Sequence, residues 1–166
     1  MEEPRFPSWQ ETMVDQKSKS KRLSRSKKPQ PPPKGFTLYL DHNLDYDDLV
    51  EKLDRAGIRY KRHREFFSGS TADTVLLKKV GERKWILVTF DKKQRTRHLE
   101  RKLIEQFKIR EFVFTSNEIA DPGELLVKAN RQMRHICKKH SGPFVASISK
   151  SGKVYFRNED QIEKTL

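Results

Sequence analysis

The feature that most constrains the fold is an alternation of short apolar segments with amphipathic segments, which begins near residue 36. Branched and aromatic residues typical of strands occur in FTLYL (36–40), IRYKRH (58–63), WILVTF (85–90) and EFVFT (111–115). The segments between them repeat apolar residues at helical spacing. Strands separated by helices predict a mainly parallel central sheet covered on both faces, which is a three-layer α/β sandwich. PFVASISKSGKVYF (143–156) adds a predicted C-terminal β-hairpin.

Composition divides the chain into three regions. Residues 17–28 hold seven Lys or Arg and no acid, and a proline-rich stretch follows them. Too little apolar surface is present there to offset chain entropy, so we predict a disordered basic arm with its linker at 1–34. This arm is expected either to grip nucleic acid nonspecifically or to be a solvated leader. The folded domain is predicted at 35–158, and a C-terminal tail at 159–166.

The net charge of the chain indicates a polyanionic partner. Lys and Arg number 36 against 23 Asp and Glu, which gives +13. Neutralising phosphates releases condensed counterions, so nucleic acid is the first partner to expect, although charge alone is also consistent with a solubilising surface. The single cysteine, Cys137, allows no intrachain disulfide. Since no apolar run approaches the ~20 residues of a membrane span, we predict a cytoplasmic protein without a membrane partner.

Three aspartates are predicted to meet at the carboxyl edge of the sheet, where open parallel sheets bind ligands. Asp41 ends the first strand, Asp91 ends WILVTF, and Asp73 lies in the first turn of the helix between them, which Ser70 or Thr71 is expected to cap. Converging carboxylates need a compensating cation, and Mg²⁺ or Mn²⁺ prefers such ligands. The pattern therefore predicts metal-assisted phosphodiester hydrolysis. The alternative is that these residues only form turns or complement a helix dipole.

The segments around these aspartates resemble the PIN-like domains related to VapC-type toxin ribonucleases. A D-x-N element, an Asp at a helix start, a T-x-D element and a strand ending near T-S occur in LYLDHNLDYDDLVEKLDRAGIRYKRHREF, STADTVLLKKVGERKWILVTFDKK and REFVFTSNEIADPGELLVKA. The resemblance spans roughly residues 36–157 and implies a PIN-like fold. It also implies that the catalytic, metal-coordinating residues are Asp41, Asp73 and Asp91. Four residues are implied to support the metal: Asn43, Thr89, Thr115 and Asn117.

Cations follow Asp91 directly in DKKQRTRHLERK (91–102). Basic side chains beside a metal ligand can hold a scissile phosphate and stabilise the charge that develops in the transition state. We predict nucleic-acid binding by Lys92, Lys93, Arg95, Arg97 and Arg101. The alternative is that they form a solvated loop and helix face.

The leading hypothesis is a Mg²⁺- or Mn²⁺-dependent endoribonuclease that acts on RNA. The resemblance extends it to the toxin of a toxin–antitoxin pair, with a cognate antitoxin as partner, and to a homodimer. Many members of the family carry another acid at the place occupied here by Thr115 to Asn117, whereas this chain has no carboxylate there until Glu118. That departure favours the alternative, a catalytically silent PIN-like module that binds nucleic acid without cutting it.

Overall fold

A computed structural model describes residues 35–92 and 97–157 of the chain. The predicted basic arm at 1–34 and the tail at 159–166 lie outside the described residues, as do two of the predicted phosphate-binding residues, Lys93 and Arg95. The domain bounds of 35–158 therefore stay a prediction. No helix in the described ranges is long and apolar enough to cross a membrane.

A six-stranded sheet with the order β2-β1-β3-β4-β5-β6 forms the centre of the fold. Its strands are β1 (Leu38–Leu40), β2 (Tyr60–Arg62), β3 (Ile86–Thr89), β4 (Arg110–Phe114), β5 (Phe144–Ile148) and β6 (Val154–Arg157). The strands β1 to β5 pair in parallel, and β6 runs antiparallel to β5. The turn between these last two strands contains Gly152 at a φ of 79°, which glycine adopts without strain. Both the mainly parallel sheet and the C-terminal hairpin are therefore confirmed.

Helices cover both faces of this sheet. Within the described part of the chain they are α1 (Asp47–Arg55), α2 (Asp73–Glu82), α3 (His98–Gln106) and α4 (Pro122–Lys139). The helix α1 packs against α4, and α2 packs against α3. The sheet thus lies between two helical layers, which confirms the predicted three-layer α/β architecture.

The alternation of side chains along the strands divides the core into two parts. Leu38 and Leu40 of β1 belong to the larger cluster, together with residues of α1 and α4. Tyr39, between them in sequence, belongs to the smaller cluster with Leu87 of β3 and apolar residues of α2 and α3. Because central strands are buried on both faces, their sequences are nearly continuous apolar runs.

The start of α2 differs from the expected cap at Ser70 or Thr71. The Ser68 hydroxyl lies 3.2 Å from that of Ser70 and 3.3 Å from that of Thr71, so these side chains bond one another. The helix begins at Asp73, with Ala72 at the cap position and no side-chain cap. The Asp73 carboxylate is therefore at the helix N-terminus, where the helix dipole favours negative charge.

Candidate active site

The three aspartates lie around one open cavity of about 780 Å³ at the carboxyl edge of the sheet. Asp41 follows β1, Asp91 lies just beyond β3, and Asp73 is the first residue of α2. The remaining lining residues are His42, Asn43, Gly69, Phe90, Lys92, Thr115, Ser116, Asn117 and Glu118. The structure therefore brings the three predicted metal-coordinating residues to the same cavity as three of the four predicted supporting residues.

Thr89, the fourth supporting residue, connects the two aspartates that follow strands. Its fully buried hydroxyl donates to Oδ2 of Asp41 at 2.8 Å and accepts from the backbone N–H of Asp91 at 2.9 Å. Oδ1 of Asp41 accepts from the backbone N–H of His42 at 2.7 Å. These bonds orient the Asp41 carboxylate, and each of its oxygens keeps a further lone pair for a ligand.

The loop that carries Asp41 and Asn43 is anchored to β2 through Asp45. The side chain of Asp45 is only 5% exposed, and it accepts from Nε of Arg62 and the backbone N–H of Arg64, both at 2.7 Å. Burial acts to raise the pKa of Asp45, but the Arg64 amide and the Arg62 guanidinium more than offset it and hold that pKa below its ordinary value. The loop is thus tied to a strand by buried charged contacts.

Buried His63 holds the segment that leads to Asp73. Its Nδ1 lies 2.9 Å from the Tyr39 hydroxyl, and its Nε2 lies 3.1 Å from the backbone oxygen of Ser68. The backbone oxygen of Ser68 accepts from the Nε2–H, and the Tyr39 hydroxyl can donate to Nδ1 or accept from it, so both ring nitrogens are bonded. The ring also contacts that of His42 edge-on, with the centroids 5.4 Å apart. His42 lines the cavity but was not predicted from the sequence, and the buried His63 ring packs against it.

Arg97, predicted to bind nucleic acid, contacts carboxylates at the rim of the cavity. Its Nη1 lies 2.8 Å from Asp73 Oδ2, 3.2 Å from Glu100 Oε1 and 3.9 Å from Asp91 Oδ2. The hydrogen bond to Glu100, followed by the charges of the other acids, raises the pKa of the guanidinium. One cation thus links three acids that come from α2, α3 and the end of β3.

Glu100 is a further acid that the sequence analysis does not identify as a site residue. Its side chain is only 9% exposed, and in the described part of the chain its Oε2 has no hydrogen-bond partner. Burial raises the pKa of Glu100, Arg97 opposes that rise, and the charges of Asp73 and Asp91 add to it. A carboxylate that is buried and incompletely hydrogen-bonded beside two other acids is typical of functional sites.

A sequence signal for Glu100 does exist. Glu100, Leu103, Ile104 and Phe107 have the spacing of one helix face, and all four are buried or half-buried. An acid on the apolar face of a helix is unusual. This signal is weak in the sequence, because Lys and Arg are so frequent in residues 91–102 that the whole segment looks like a basic surface.

The other predicted phosphate-binding residues occupy different environments. Lys92 lines the cavity, and its ammonium group donates to the backbone oxygen of Thr115. Arg101 instead pairs with Glu105 at 3.1 Å on the exposed face of α3 and does not line the cavity. Of the three that are described, only Lys92 is therefore placed with its ammonium free of carboxylates and beside the aspartates.

The donors around the cavity fit a hydrated divalent cation. Carboxylate, amide and hydroxyl oxygens are the ligands that Mg²⁺ and Mn²⁺ prefer. Among the residues that the structure describes, no three Asp, Glu, His or Cys side chains stand close enough together to form a ready metal-binding group. Mg²⁺ usually keeps several waters and takes one or two carboxylates directly. A hydrated cation held directly by one carboxylate and through water by the others would fit this lining.

Comparison with known families identifies one match. A family model described as a PIN like domain matches residues 37–116, from the start of β1 to just beyond β4. The matched segment contains all three aspartates, Arg97 and Glu100. No curated protein and no solved structure matches the chain. The predicted resemblance to PIN-like domains is confirmed, and a specific relation to VapC-type toxins stays a prediction.

Proposed function

We propose that this chain, whose residues 37–116 match a family model described as a PIN like domain, is a divalent-metal-dependent endoribonuclease. PIN-like domains are generally metal-dependent and commonly bind nucleic acids. The observation that carries the proposal is that Asp41, Asp73 and Asp91, from three separate elements, line one cavity with amide and hydroxyl oxygens. Such a set of oxygen ligands beside a basic residue is suited to phosphodiester hydrolysis.

The side chains around the cavity divide the work of this reaction. Mg²⁺ or Mn²⁺ held there would supply positive charge to the phosphate oxygens and would lower the pKa of the attacking water. Asp41 and Asp91 would hold the cation. Thr89 supports both, since its hydroxyl donates to the Asp41 carboxylate and accepts from the backbone N–H of Asp91. Lys92, three residues beyond β3, neutralises the phosphate as its charge increases in the transition state.

Asp73 and Glu100 act together through Arg97. The guanidinium holds both carboxylates in place and reduces the mutual repulsion of the acids at the rim. Glu100 is a positioning residue in this proposal, since its contact is with Arg97 and not with the lining of the cavity. Arg97 therefore keeps Asp73 and Glu100 close together at the rim, even where they do not bind the metal directly.

The test is hydrolysis of mixed structured RNAs by the purified protein with Mg²⁺, with Mn²⁺ and with EDTA, beside the variant Asp91→Asn. Cleavage should need the metal and should disappear in Asp91→Asn, whereas thermal unfolding and RNA binding should change little. Glu105→Gln is the matched control, because it removes one acid from the exposed face of α3, where Glu105 pairs with Arg101. Full cleavage by Asp91→Asn would exclude the proposed centre.

A second candidate is a catalytically silent module that binds nucleic acid. It is favoured by the absence, in the described ranges, of a ready group of three metal-binding side chains, and by the contact of Arg97 with the acids. In the same experiment this module would bind RNA in a strongly salt-dependent way and would cut none of it with either metal.

Three further predictions accompany this proposal. An endoribonuclease toxin would have a cognate antitoxin, and co-expression of the candidate antitoxin with this chain should suppress cleavage and yield a stable complex. The predicted homodimer is checked by light scattering of the purified protein, and the predicted cytoplasmic location by fractionation of cells. All three stay predictions.

A further inference from the structure

A second cavity, of about 510 Å³, lies at the edge of the sheet opposite the aspartates. Phe36, which precedes β1, Trp85, which precedes β3, and Arg110, which begins β4, all line it. Residues at the C-terminal ends of α2, α3 and α4 complete its wall. Five residue steps separate Phe36 from Asp41, and six separate Trp85 from Asp91, so the two cavities lie roughly 15 to 20 Å apart. We call this second site the basic aromatic cavity.

The charged residues of this cavity have one sign. Its lining includes five cations and no carboxylate: Lys84, Lys108, Arg110, Arg134 and Lys138. None of them makes an ion pair with another residue in the described segments. The three helix ends carry only about half a negative charge each, so they offset part of this charge. A group of like charges around a cavity is unfavourable unless an anion compensates it.

Arg134 shows this imbalance most clearly. Its guanidinium lies over the Phe36 ring, 5.1 Å from the centroid, and its Nε donates to the Asn130 side chain at 3.1 Å. Burial and the neighbouring charge of Arg59 lower its pKa. The half-buried guanidinium is directed by these contacts and keeps donors for a bidentate phosphate contact.

Two lysines at the rim have a strained backbone. Lys84 and Lys108 lie two residues beyond α2 and α3, with φ angles of 54° and 51°. Glycine is favoured at this position after a helix because it has no Cβ, and asparagine is tolerated there better than most other residues. Lysine at both equivalent positions therefore suggests that the two ammonium groups are used.

Aromatic and aliphatic side chains form the rest of the wall: Phe36, Trp85, Phe107 and Ile109. Trp85 is held in place by stacking on Tyr39, with centroids 5.8 Å apart and rings 6° from parallel, and by a tilted contact with Phe66 at 5.0 Å. Aromatic faces beside cations are the combination with which proteins bind single-stranded nucleic acid, by stacking the base and pairing with the phosphate. An inorganic anion would use the cations but would leave the apolar wall in contact with water.

We propose that the basic aromatic cavity binds one nucleotide of a single RNA strand. The base packs against Trp85 and Phe107, and the phosphate contacts Arg134 and its neighbouring cations. This proposal goes beyond the proposed nuclease, because binding here needs no metal and no cleavage. An RNA strand bound in this cavity would be held at the edge of the sheet opposite the aspartates.

The test uses Trp85 as a local reporter in the full chain. The chain has two tryptophans, so the variant Trp9→Phe leaves Trp85 as the only source of tryptophan fluorescence. A six-residue oligouridylate should quench this fluorescence in a saturable and salt-sensitive manner, in EDTA as well as in Mg²⁺. Uridine and inorganic phosphate alone should have a much weaker effect, because each supplies only one half of the contact.

Charge-removing variants locate the binding. Arg134→Gln should weaken binding about tenfold, the effect of losing one charged hydrogen-bonded contact, and Lys108→Gln, at an exposed position, should weaken it without affecting folding. Arg131→Gln is the matched control, since it removes the same charge from an exposed position of α4 outside the lining. Asp91→Asn should bind normally, which separates this proposal from the nuclease.

Three results would overturn the proposal. These are absence of quenching, an equal loss of affinity in Arg131→Gln and in both lining variants, or equally tight binding of hexaglutamate. The last result would identify a site for acidic peptides instead of RNA.

Discussion

Glu100 illustrates at the level of one residue how an acid at the candidate site costs stability. Its carboxylate is buried beside two other acids, and burial raises its pKa. A raised pKa in the folded state means that the acid favours folding fully only below its unfolded pKa of about 4.3. This contribution is lost as the pH rises through the folded pKa. At neutral pH the charged side chain therefore opposes folding.

The variant Glu100→Gln should consequently be more stable than the wild type at pH 7, by about 1 kcal/mol, because the amide carries no charge into the buried position. At pH 4 the difference should be much smaller, since the wild-type acid is then largely protonated. Urea unfolding at both pH values measures this. A stability difference that is equal at pH 4 and pH 7 would argue against a raised pKa of Glu100.

Arg97 partly neutralises the three acids whose charge a metal ion would also compensate. Replacing it with Gln removes a positive charge from a point within 4.0 Å of Asp73, Asp91 and Glu100. We expect Arg97→Gln to bind Mn²⁺ about tenfold more tightly, because the cation no longer competes for the carboxylates. Titration calorimetry measures the affinity, with Arg101→Gln as control on the same helix. Unchanged or weaker binding in Arg97→Gln would show that the guanidinium does not compete with the metal.

The sequence predicts some residues of this site and not others for a physical reason. Asp41 and Asp91 directly follow apolar strands, and parallel strands bring their carboxyl ends to one edge. The position of Arg97 depends instead on the packing of α3 against α2, which no local pattern specifies. The same holds for the basic aromatic cavity, whose residues come from the ends of three helices far apart in sequence.

At the level of elements, buried charge ties the loop after β1 to β2. Asp45 contacts Arg62 and Arg64, and the pKa of Asp45 is lowered by them. A lowered pKa contributes stability above the unfolded value of about 3.9 and loses it as the pH falls through the folded value. Asp45→Asn should therefore be less stable than the wild type by about 2 kcal/mol at pH 7, because half-buried Arg62 loses a partner.

Below pH 4 the stability difference between Asp45→Asn and the wild type should shrink, since the wild-type carboxylate becomes protonated there. Chemical denaturation at pH 7 and pH 3 tests both statements. Asp54→Asn is a suitable control, because Asp54 is exposed and its carboxylate accepts, among the described residues, only from the Tyr60 hydroxyl, at 3.1 Å. A loss that persists unchanged at pH 3 would contradict an electrostatic role of Asp45.

The contact between α2 and α3 depends on Gly81. A Cβ at this position would lie 2.3 Å from Cβ and 2.7 Å from Cγ of Phe107, so the helices would have to move apart. We expect Gly81→Ala to cost about 2 kcal/mol of unfolding free energy and to weaken metal binding, because α2 carries Asp73 and α3 carries Glu100. Thermal unfolding tests this, with the exposed neighbour Glu82→Ala as control. A variant as stable as the control would contradict the close approach.

The alternation of strand and helix segments predicts these elements well, because each helix and strand buries a continuous apolar stripe. It does not specify the strand order, in which β1 lies between β2 and β3. It also misplaces the cap of α2, since the hydroxyls of Ser68, Ser70 and Thr71 bond one another instead of the helix amides. Local patterns determine which segments are regular, whereas tertiary contacts determine their order and ends.

The whole molecule separates two kinds of chemistry at opposite edges of one sheet. Carboxylates gather at the carboxyl ends of the strands, and cations without carboxylate partners among the described residues gather at the amino ends. This separation keeps Arg134 and Lys138 from pairing with Asp41 and Asp91. If one strand of RNA occupies both edges, the basic aromatic cavity contributes affinity while the aspartates remain available for the metal.

The segment 1–34 adds a further source of positive charge, with nine basic and four acidic side chains. Because each phosphate neutralised on a single strand contributes about 0.7 to the slope of log affinity against log salt, deleting this segment should lower the magnitude of that slope by about 2 to 4. The affinity for RNA should fall most at low salt, whereas metal-dependent cleavage at saturating RNA should continue at the same rate, since all three aspartates remain. Filter binding from about 50 to about 300 mM salt measures the slope. This range includes physiological ionic strength, at which the Debye length is about 8 Å. A replacement of 1–34 by an uncharged Gly/Ser segment of equal length controls for size, and an unchanged slope in both variants would show that the arm makes no phosphate contacts.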